Sequence, residues 1–111
     1  MATSTIKLQG GTKHSATVGS GITGGANYVQ IGKVVVVTGA INIPSGTATT
    51  VELVKGLPLP STSNAGFTAQ DNNSTSATAV TMFLTSDGAI RLKGNATSNI
   101  SARFTFAYVA L

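Results

Sequence analysis

Short runs of β-forming residues, each ended by Gly, Asn, Ser or Pro, follow one another along this sequence of 111 residues. Val, Ile, Thr, Phe and Tyr fill these runs, and such residue types favour strands. No window keeps apolar residues at the i, i+3, i+4 and i+7 positions that an amphipathic helix requires. The sequence therefore predicts an all-β fold, an antiparallel β-sandwich or Greek-key barrel of about eight short strands.

The length of the chain suits a single domain with one hydrophobic core. Four glycines between positions 19 and 25 predict a loop in that segment. On this basis residues 1–26 hold one or two N-terminal strands and the glycine-rich segment, and residues 27–111 form the β head. We expect the first part to pack on the head or to lead into it.

Two long apolar runs predict the strongest strands of the head. Four valines in succession at positions 34–37 do not alternate with polar residues, which predicts a strand covered on both faces. The run from Ser101 to Leu111 ends in six apolar residues, which predicts that the last strand is also covered on both faces. Alternation in that run places four side chains on one face: Phe104, Phe106, Tyr108 and Ala110. Residues 49–54 predict a further strand.

The Asp87-Gly88 pair lies between two runs with a strand pattern, residues 79–85 and residues 90–93. Asp-Gly between such runs is typical of a β-hairpin with a type I′ turn, which requires positive φ at both central residues. The sequence therefore predicts a hairpin centred on this pair.

Charged residues are few and dispersed, with 9% of the chain charged and a formal net charge of +4. Nucleic-acid-binding proteins concentrate Lys and Arg on one face, and the seven basic residues here form no such cluster. We therefore predict no nucleic-acid partner and keep an oligonucleotide-binding barrel as a minor alternative. The longest apolar run is shorter than the roughly 18 residues of a membrane helix, and the polar N-terminal residues predict no secretion signal.

The sequence offers few groups for catalysis or metal binding. It has one histidine, His14, three acidic residues and no cysteine. A catalytic triad needs a histidine oriented by a carboxylate, and nothing near His14 provides one. Without cysteine there is no disulfide and no thiolate metal site. We predict a protein that is not an enzyme and uses neither metal nor cofactor.

Four segments of the head occur in an order and spacing that resemble a known family. Residues 27–39 (NYVQIGKVVVVTG) resemble a strand pair that ends at a glycine, and residues 57–60 (LPLP) resemble the turn that follows it. Residues 87–92 (DGAIRL) and residues 104–109 (FTFAYV) resemble a hairpin and a closing strand. Together these segments are similar to the C-terminal head domains of bacteriophage tail-fibre and baseplate receptor-binding proteins, over residues 27–111.

The resemblance implies a head that assembles as a homotrimer on the virion, at the tip of a phage tail or baseplate and beside other tail proteins. It also implies binding to bacterial cell-surface saccharide during host adsorption. In some members of the family His, Asp, Arg and Trp around the strand before the hairpin bind the ligand, whereas this chain has Thr81 and Phe83 there and no tryptophan, so the resemblance carries over no ligand-binding residue at this strand. A purely structural trimeric cap or spacer is the alternative function.

The polar loop of Asp71, Asn72 and Asn73 is the predicted ligand-binding site, with Arg91 from the hairpin as its partner. A carboxylate and two amides can accept and donate hydrogen bonds to vicinal hydroxyls, and a guanidinium adds a planar fork of donors. The same loop is also consistent with a solvated turn. Tyr28 and Tyr108 are the second candidates, because each joins an aromatic ring to a polar tip.

Overall fold

The computed structural model describes residues 12–73 and 79–111. The strands in these ranges are β1 (Lys13–Ser15), β2 (Thr17–Val18), β3 (Thr23–Ile31), β4 (Val34–Ile43), β5 (Val54–Lys55), β6 (Ala65–Asp71), β7 (Ala79–Leu84), β8 (Ile90–Leu92) and β9 (Ile100–Val109). They form one antiparallel sheet in the order β1-β3-β4-β9-β6-β7-β8-β5-β2, nearly closed into a barrel. The predicted all-β fold is confirmed.

None of the described residues belongs to a helix that is long and apolar enough to cross a membrane. The strand predicted over residues 3–8 lies outside the described residues.

The chain crosses the seam of the barrel at Ala16. Before this residue β1 pairs with β3, and the Ala16 N–H continues the ladder by donating to the carbonyl of Ala26 at 2.9 Å. After it β2 pairs with β5, and the Gly19 N–H donates to the carbonyl of Leu53 at 2.9 Å. The first and last strands of the sheet order are therefore joined through a single residue, which brings the two ends of the sheet together.

The core fills the inside of the barrel, because side chains alternate between its inward and outward faces. The largest fully buried side chains come from β4, β5, β7 and β8 and from the residue before β5: Val35, Val37, Ile41, Ile43, Leu53, Val54, Met82, Leu84 and Ile90. In β9 and at the residue after it the predicted alternation is confirmed, since Phe104 and Ala110 are buried and Phe106 and Tyr108 pack against the core.

The ring of Phe104 crosses β4 at Gly39, its partner in the β4–β9 register. A Cβ at position 39 would lie 2.2 Å from Cζ of this ring. Only glycine lets the aromatic side chain lie so close to the neighbouring strand.

The expectation that residues 34–37 are covered on both faces is wrong for the described chain. Val35 and Val37 are fully buried, whereas Val34 and Val36 are 49% and 36% exposed. The expectation for the last strand fails in the same way, because Val109 is 53% exposed. The pleat sends alternate side chains outward, and no described segment covers that face.

The predicted loop at residues 19–25 is wrong in its second half, because β3 begins at Thr23 and includes two of the glycines. A Cβ at Gly24, where φ is +100°, would lie 2.2 Å from the carbonyl oxygen of Ala40, so the close approach of β4 requires glycine here.

The proposed boundary between residues 26 and 27 falls inside β3. Of the strand expected over residues 49–54, only Val54 lies in a strand, the two-residue β5.

The hairpin at Asp87-Gly88 is present, but its turn differs from type I′. The Thr85 N–H donates to the carbonyl of Ala89 at 2.8 Å, and the Gly88 N–H donates to the carbonyl of Thr85 at 3.1 Å. In this turn φ is positive at Gly88 and not at Asp87. Three residues rather than two therefore lie between the hydrogen-bonded Thr85 and Ala89, as in a type I turn followed by a left-handed glycine.

Candidate functional site

Asp71 has a structural role at the junction of β6 and β9. Its side chain is buried, and Oδ1 accepts hydrogen bonds from the N–H groups of Asn73 at 2.9 Å and Ser101 at 3.1 Å. The carboxylate thus closes a turn in its own loop and ties that loop to the start of β9.

The two asparagines of this loop also bond within the protein. Gln70 donates through Nε2 to Oδ1 of Asn72 at 2.7 Å, and Asn73 donates through Nδ2 to the carbonyl of Asn99 at 3.1 Å. Both side chains remain exposed at the surface. A shallow groove of about 240 Å³ lies beside Asp71 and extends to Lys93. The loop is accessible, and one polar atom of each of these three side chains is already hydrogen-bonded within the protein.

Arg91 does not meet the Asp71 loop. It pairs with Phe83 across β7 and β8, and both alternate with inward residues, so Arg91 points to the outside of the barrel. Asp71 lies at an inward position of β6 and is buried. The two faces of the sheet therefore separate the predicted partners.

Tyr28 and Tyr108 lie on the inward face of the sheet, on strands either side of β4. The His14 ring stacks on Tyr28, with centroids 5.0 Å apart and an interplanar angle of 26°. Tyr108 stacks on Phe106 with centroids 5.9 Å apart. The structure thus places the two tyrosines in one half-buried aromatic region, with the exposed His14 at its margin.

The hydroxyl group of Tyr108 is part of the fold. It donates to the carbonyl of Pro58 at 2.7 Å. Burial raises the pKa of Tyr108 to about 12, and the nearby Tyr28 adds to this rise. The polar tip of Tyr108 is therefore bound within the protein.

A concavity of about 300 Å³ lies on the outward face of β6, β7 and β8. We call it the Phe83 site and define it by Asn64, Gly66, Thr81, Phe83 and Lys93. The Lys93 Nζ lies 5.7 Å from the centroid of the Phe83 ring, which is within cation–π range.

Local structure explains how these side chains come together. Alternation in β7 turns Thr81 and Phe83 outward, because Met82 and Leu84 are fully buried. Gly66 pairs with Phe83 from β6 and has no side chain to cover the ring.

Two backbone hydrogen bonds hold the rim of the Phe83 site. The Lys93 N–H donates to the carbonyl of Thr81 at 3.0 Å, which keeps the lysine beside β7. At the other end, the Asn64 N–H donates to the carbonyl of Leu84 at 2.8 Å. Asn64 is a non-glycine residue with positive φ, 61°, a conformation that asparagine tolerates better than most residues.

Arg91 borders the Phe83 site on the side opposite Gly66. Within the described ranges its Nε is a buried side-chain nitrogen without a hydrogen-bond partner. Arg91 also acts on the neighbouring turn. A hydrogen bond from the Thr85 hydroxyl lowers the pKa of Asp87, and the positive charge of Arg91 adds a smaller lowering.

The Phe83 site combines an aromatic face, an ammonium group, an amide and a hydroxyl. Such a set can stack on the apolar face of a small ring and form hydrogen bonds with its substituents. In the part of the chain that the structure describes, no three His, Asp or Glu side chains converge as a metal site would need.

Phe83 and Lys93 are missing from the site that the sequence predicted, although a signal for them exists. The alternation of residues 79–85 turns Phe83 outward, which indicates an aromatic ring on the surface of this strand. The gap that Gly66 leaves over the ring depends on the β6–β7 register, which the sequence does not specify.

Comparisons of the chain with protein-family models, with curated proteins and with solved structures give no match.

Proposed function

We propose that this chain is the head of a phage receptor-binding protein and that it binds bacterial surface saccharide at the Phe83 site. The observation that carries the proposal is the half-buried Phe83 ring, with the Lys93 ammonium 5.7 Å from its centroid, in an open concavity of the sheet. The phage assignment rests on the four segments whose order resembles that of tail-fibre and baseplate heads.

The chemistry of the Phe83 site suits a sugar. The C–H face of a pyranose ring packs on an aromatic face, while its hydroxyl groups need several polar partners at the edge. Phe83 supplies the ring, and Asn64, Thr81 and Lys93 supply donors and acceptors around it. A volume of about 300 Å³ lies at the small end of ligand sites, which suits one sugar ring rather than a long oligosaccharide groove.

Binding of the purified protein to host cell walls and to a glycan array tests this function. We expect Phe83→Leu to weaken binding by a factor of about two to ten, because an aromatic contact contributes about 0.5–1.5 kcal/mol beyond the area it buries. Lys93→Gln should also weaken binding, whereas Lys55→Gln, at an exposed lysine on β5, should not. The arginines are compared in the same way. Arg91→Gln should weaken binding, whereas Arg103→Gln, at an exposed arginine on β9, should not.

Three results would count against the proposal. If Phe83→Leu binds like the wild type while Tyr28→Leu does not, the site lies in the tyrosine region. If Lys55→Gln reduces binding as much as Lys93→Gln, general charge and not this site holds the glycan. If the folded wild type binds no saccharide and no cell wall, the structural cap or spacer becomes the better function.

A further inference from the structure

The outward face of β3, β4 and β9 is aliphatic at the end where β3 turns into β4. Residues that pair directly in an antiparallel sheet lie on the same face. Ile31 pairs with Val34, and Val34 pairs with Val109, so these three side chains form one row. Val36 lies two residues further along β4 on the same face.

Two leucines extend this surface beyond β9. The Leu111 N–H donates to the carbonyl of Leu59 at 2.8 Å, and the neighbouring pair of Pro60 and Ala110 is buried. Leu59 and Leu111 therefore point outward, as Val109 does. We give the name aliphatic stripe to the surface of Ile31, Val34, Val36, Leu59, Val109 and Leu111.

The aliphatic stripe is large for an exposed surface. Its six residues are between 36% and 77% exposed, so on the order of several hundred square ångströms of hydrocarbon face the solvent. Apolar surfaces of this size mark contacts with a protein or with a membrane. The stripe also ends abruptly, because the first outward pair beyond Val36 and Ala107 is the polar pair of Thr38 and Thr105.

Two lysines flank the aliphatic stripe. Lys13 pairs with Val29, and Val29 pairs with Val36, so Lys13 lies on the outward face beside the stripe. Lys33 lies in the two-residue turn that joins β3 to β4. Both lysines are exposed. At such a margin a lysine can lay its aliphatic stem along the apolar surface and keep its ammonium group in polar surroundings.

The strands that carry the stripe have no acidic side chain. The three acidic residues of the chain, Glu52, Asp71 and Asp87, all lie outside β1, β3, β4 and β9. Asp71 is buried on β6, and Asp87 lies in the turn between β7 and β8. The two lysines beside the stripe are therefore available to an anionic partner.

The backbone of this region limits how a partner can bind. On one side β1 pairs with β3, and on the other the Ser61 N–H donates to the carbonyl of Val109 at 2.9 Å. With hydrogen bonds on both sides, an incoming strand has little free edge to join. The six side chains of the stripe carry no hydrogen-bonding group, whereas a typical protein interface includes about ten direct hydrogen bonds. The surface thus favours a partner that makes non-directional apolar contacts and attracts cations.

From these observations we infer that the aliphatic stripe docks on an anionic phospholipid surface, with Lys13 and Lys33 at the headgroup phosphates. Peripheral binding of this kind combines apolar area buried at the headgroup boundary with attraction between basic residues and anionic lipids. Each lysine close to such a surface contributes roughly a fivefold gain in affinity. The sheet lies on the membrane surface and does not cross it. This inference is independent of saccharide binding at the Phe83 site.

Cosedimentation of the full chain with lipid vesicles tests the electrostatic part of this docking. The protein should bind vesicles of phosphatidylglycerol and phosphatidylcholine in equal parts, and it should bind pure phosphatidylcholine vesicles much less. Added salt should weaken binding, because it screens exposed charges. Lys13→Gln and Lys33→Gln should each weaken binding about fivefold. The control Lys55→Gln removes the same charge from an exposed lysine on β5 and should bind like the wild type.

A paired substitution tests the aliphatic part. Val34 and Val109 pair directly, and threonine keeps their branched shape, so Val34→Thr with Val109→Thr changes polarity with little change in form. We expect vesicle binding to weaken about tenfold. The matched control is Thr38→Ser with Thr105→Ser, at a direct pair on the same strands outside the stripe, which should leave binding unchanged. Circular dichroism checks that each variant folds.

Several outcomes would overturn the inference. The wild type may bind neither kind of vesicle or bind both equally, and either result shows that anionic lipid is not recognised. Undiminished binding by the valine variant places the contact elsewhere, and an equal loss in Lys55→Gln points to net charge alone. Self-association of the wild type that the valine variant abolishes would show that a second copy covers the stripe. If the valine variant does not fold, Lys13→Gln and Lys33→Gln, at exposed positions, still decide the outcome.

Discussion

At the scale of single residues, the contact between Gly39 and the Phe104 ring can be tested by substitution. An alanine at position 39 would place its Cβ 2.2 Å from the ring. Phe104 is buried against Phe67 and Phe106, so it has little space to move. We expect Gly39→Ala to lower the free energy of unfolding by about 1–3 kcal/mol, as overpacking does, measured by urea denaturation.

Gly25→Ala is the matched control for this prediction. Gly25 lies in the neighbouring strand β3, and a Cβ there would meet nothing within 4 Å. Its φ is not positive. The substitution should therefore change the free energy of unfolding by less than about 1 kcal/mol. Equal losses at both positions would show that the Phe104 contact is not the cause.

The raised pKa of Tyr108 predicts a loss of stability at alkaline pH. The pKa rises from 10.0 to about 12 on folding, because burial disfavours the phenolate. The folded state thus holds the proton more tightly than the unfolded state, and this contribution is fully present below pH 10. It should decline as the pH rises from 10 to about 12.

Urea denaturation at several pH values in this window measures the effect, and absorbance of the phenolate follows the titration itself. Tyr108→Phe removes the ionisable group, so its free energy of unfolding should depend less on pH between 10 and about 12. An identical pH dependence in wild type and variant would assign the loss to another group.

At the scale of strands and loops, Asp71 connects β6 to the start of β9. Its carboxylate accepts hydrogen bonds from two backbone N–H groups, those of Asn73 and Ser101. Asp71→Ala leaves the buried N–H of Ser101 without this acceptor, so we expect the free energy of unfolding to fall by about 1–3 kcal/mol. Saccharide binding by the folded variant should match that of the wild type, because Asp71 is not among the residues that line the Phe83 site.

Asn72→Ala is the control, since its exposed side chain bonds only to the exposed Gln70 among the described residues. Little change in stability is expected there. Weaker saccharide binding by a fully folded Asp71→Ala protein would instead return this loop to the ligand site.

Strand patterns in the sequence predict the face on which a side chain lies and the position of a turn. They predict less well which strands and side chains lie next to one another. Alternation placed Phe104 and Phe106 on one face, and Asp87-Gly88 located the hairpin, because both depend on adjacent residues alone. Whether Val34 is covered depends on what lies outside the sheet, and the Phe83 site depends on Gly66, which is distant in sequence. The separation of Arg91 from Asp71 likewise follows from registers that no local pattern specifies.

At the scale of the whole molecule, the Phe83 site and the tyrosine region lie on opposite faces of the sheet. The Phe83 site lies on the outward face of β6 and β7 and the segments that flank them, and Tyr28 and Tyr108 lie on the inward face of β3 and β9. The two candidate regions are therefore separate, and the Phe83→Leu and Tyr28→Leu variants test them independently.

The pairing of β4 with β9 has a consequence for synthesis of the chain. Residues 34–43 pair along their whole length with residues 100–109, so one side of β4 has no partner until the latter segment has been made. On the ribosome, the four valines of β4 would remain on an open edge during most of translation. Pairings this distant in sequence also slow folding. Yield in the cell is thus expected to depend on how long the nascent chain stays protected from aggregation.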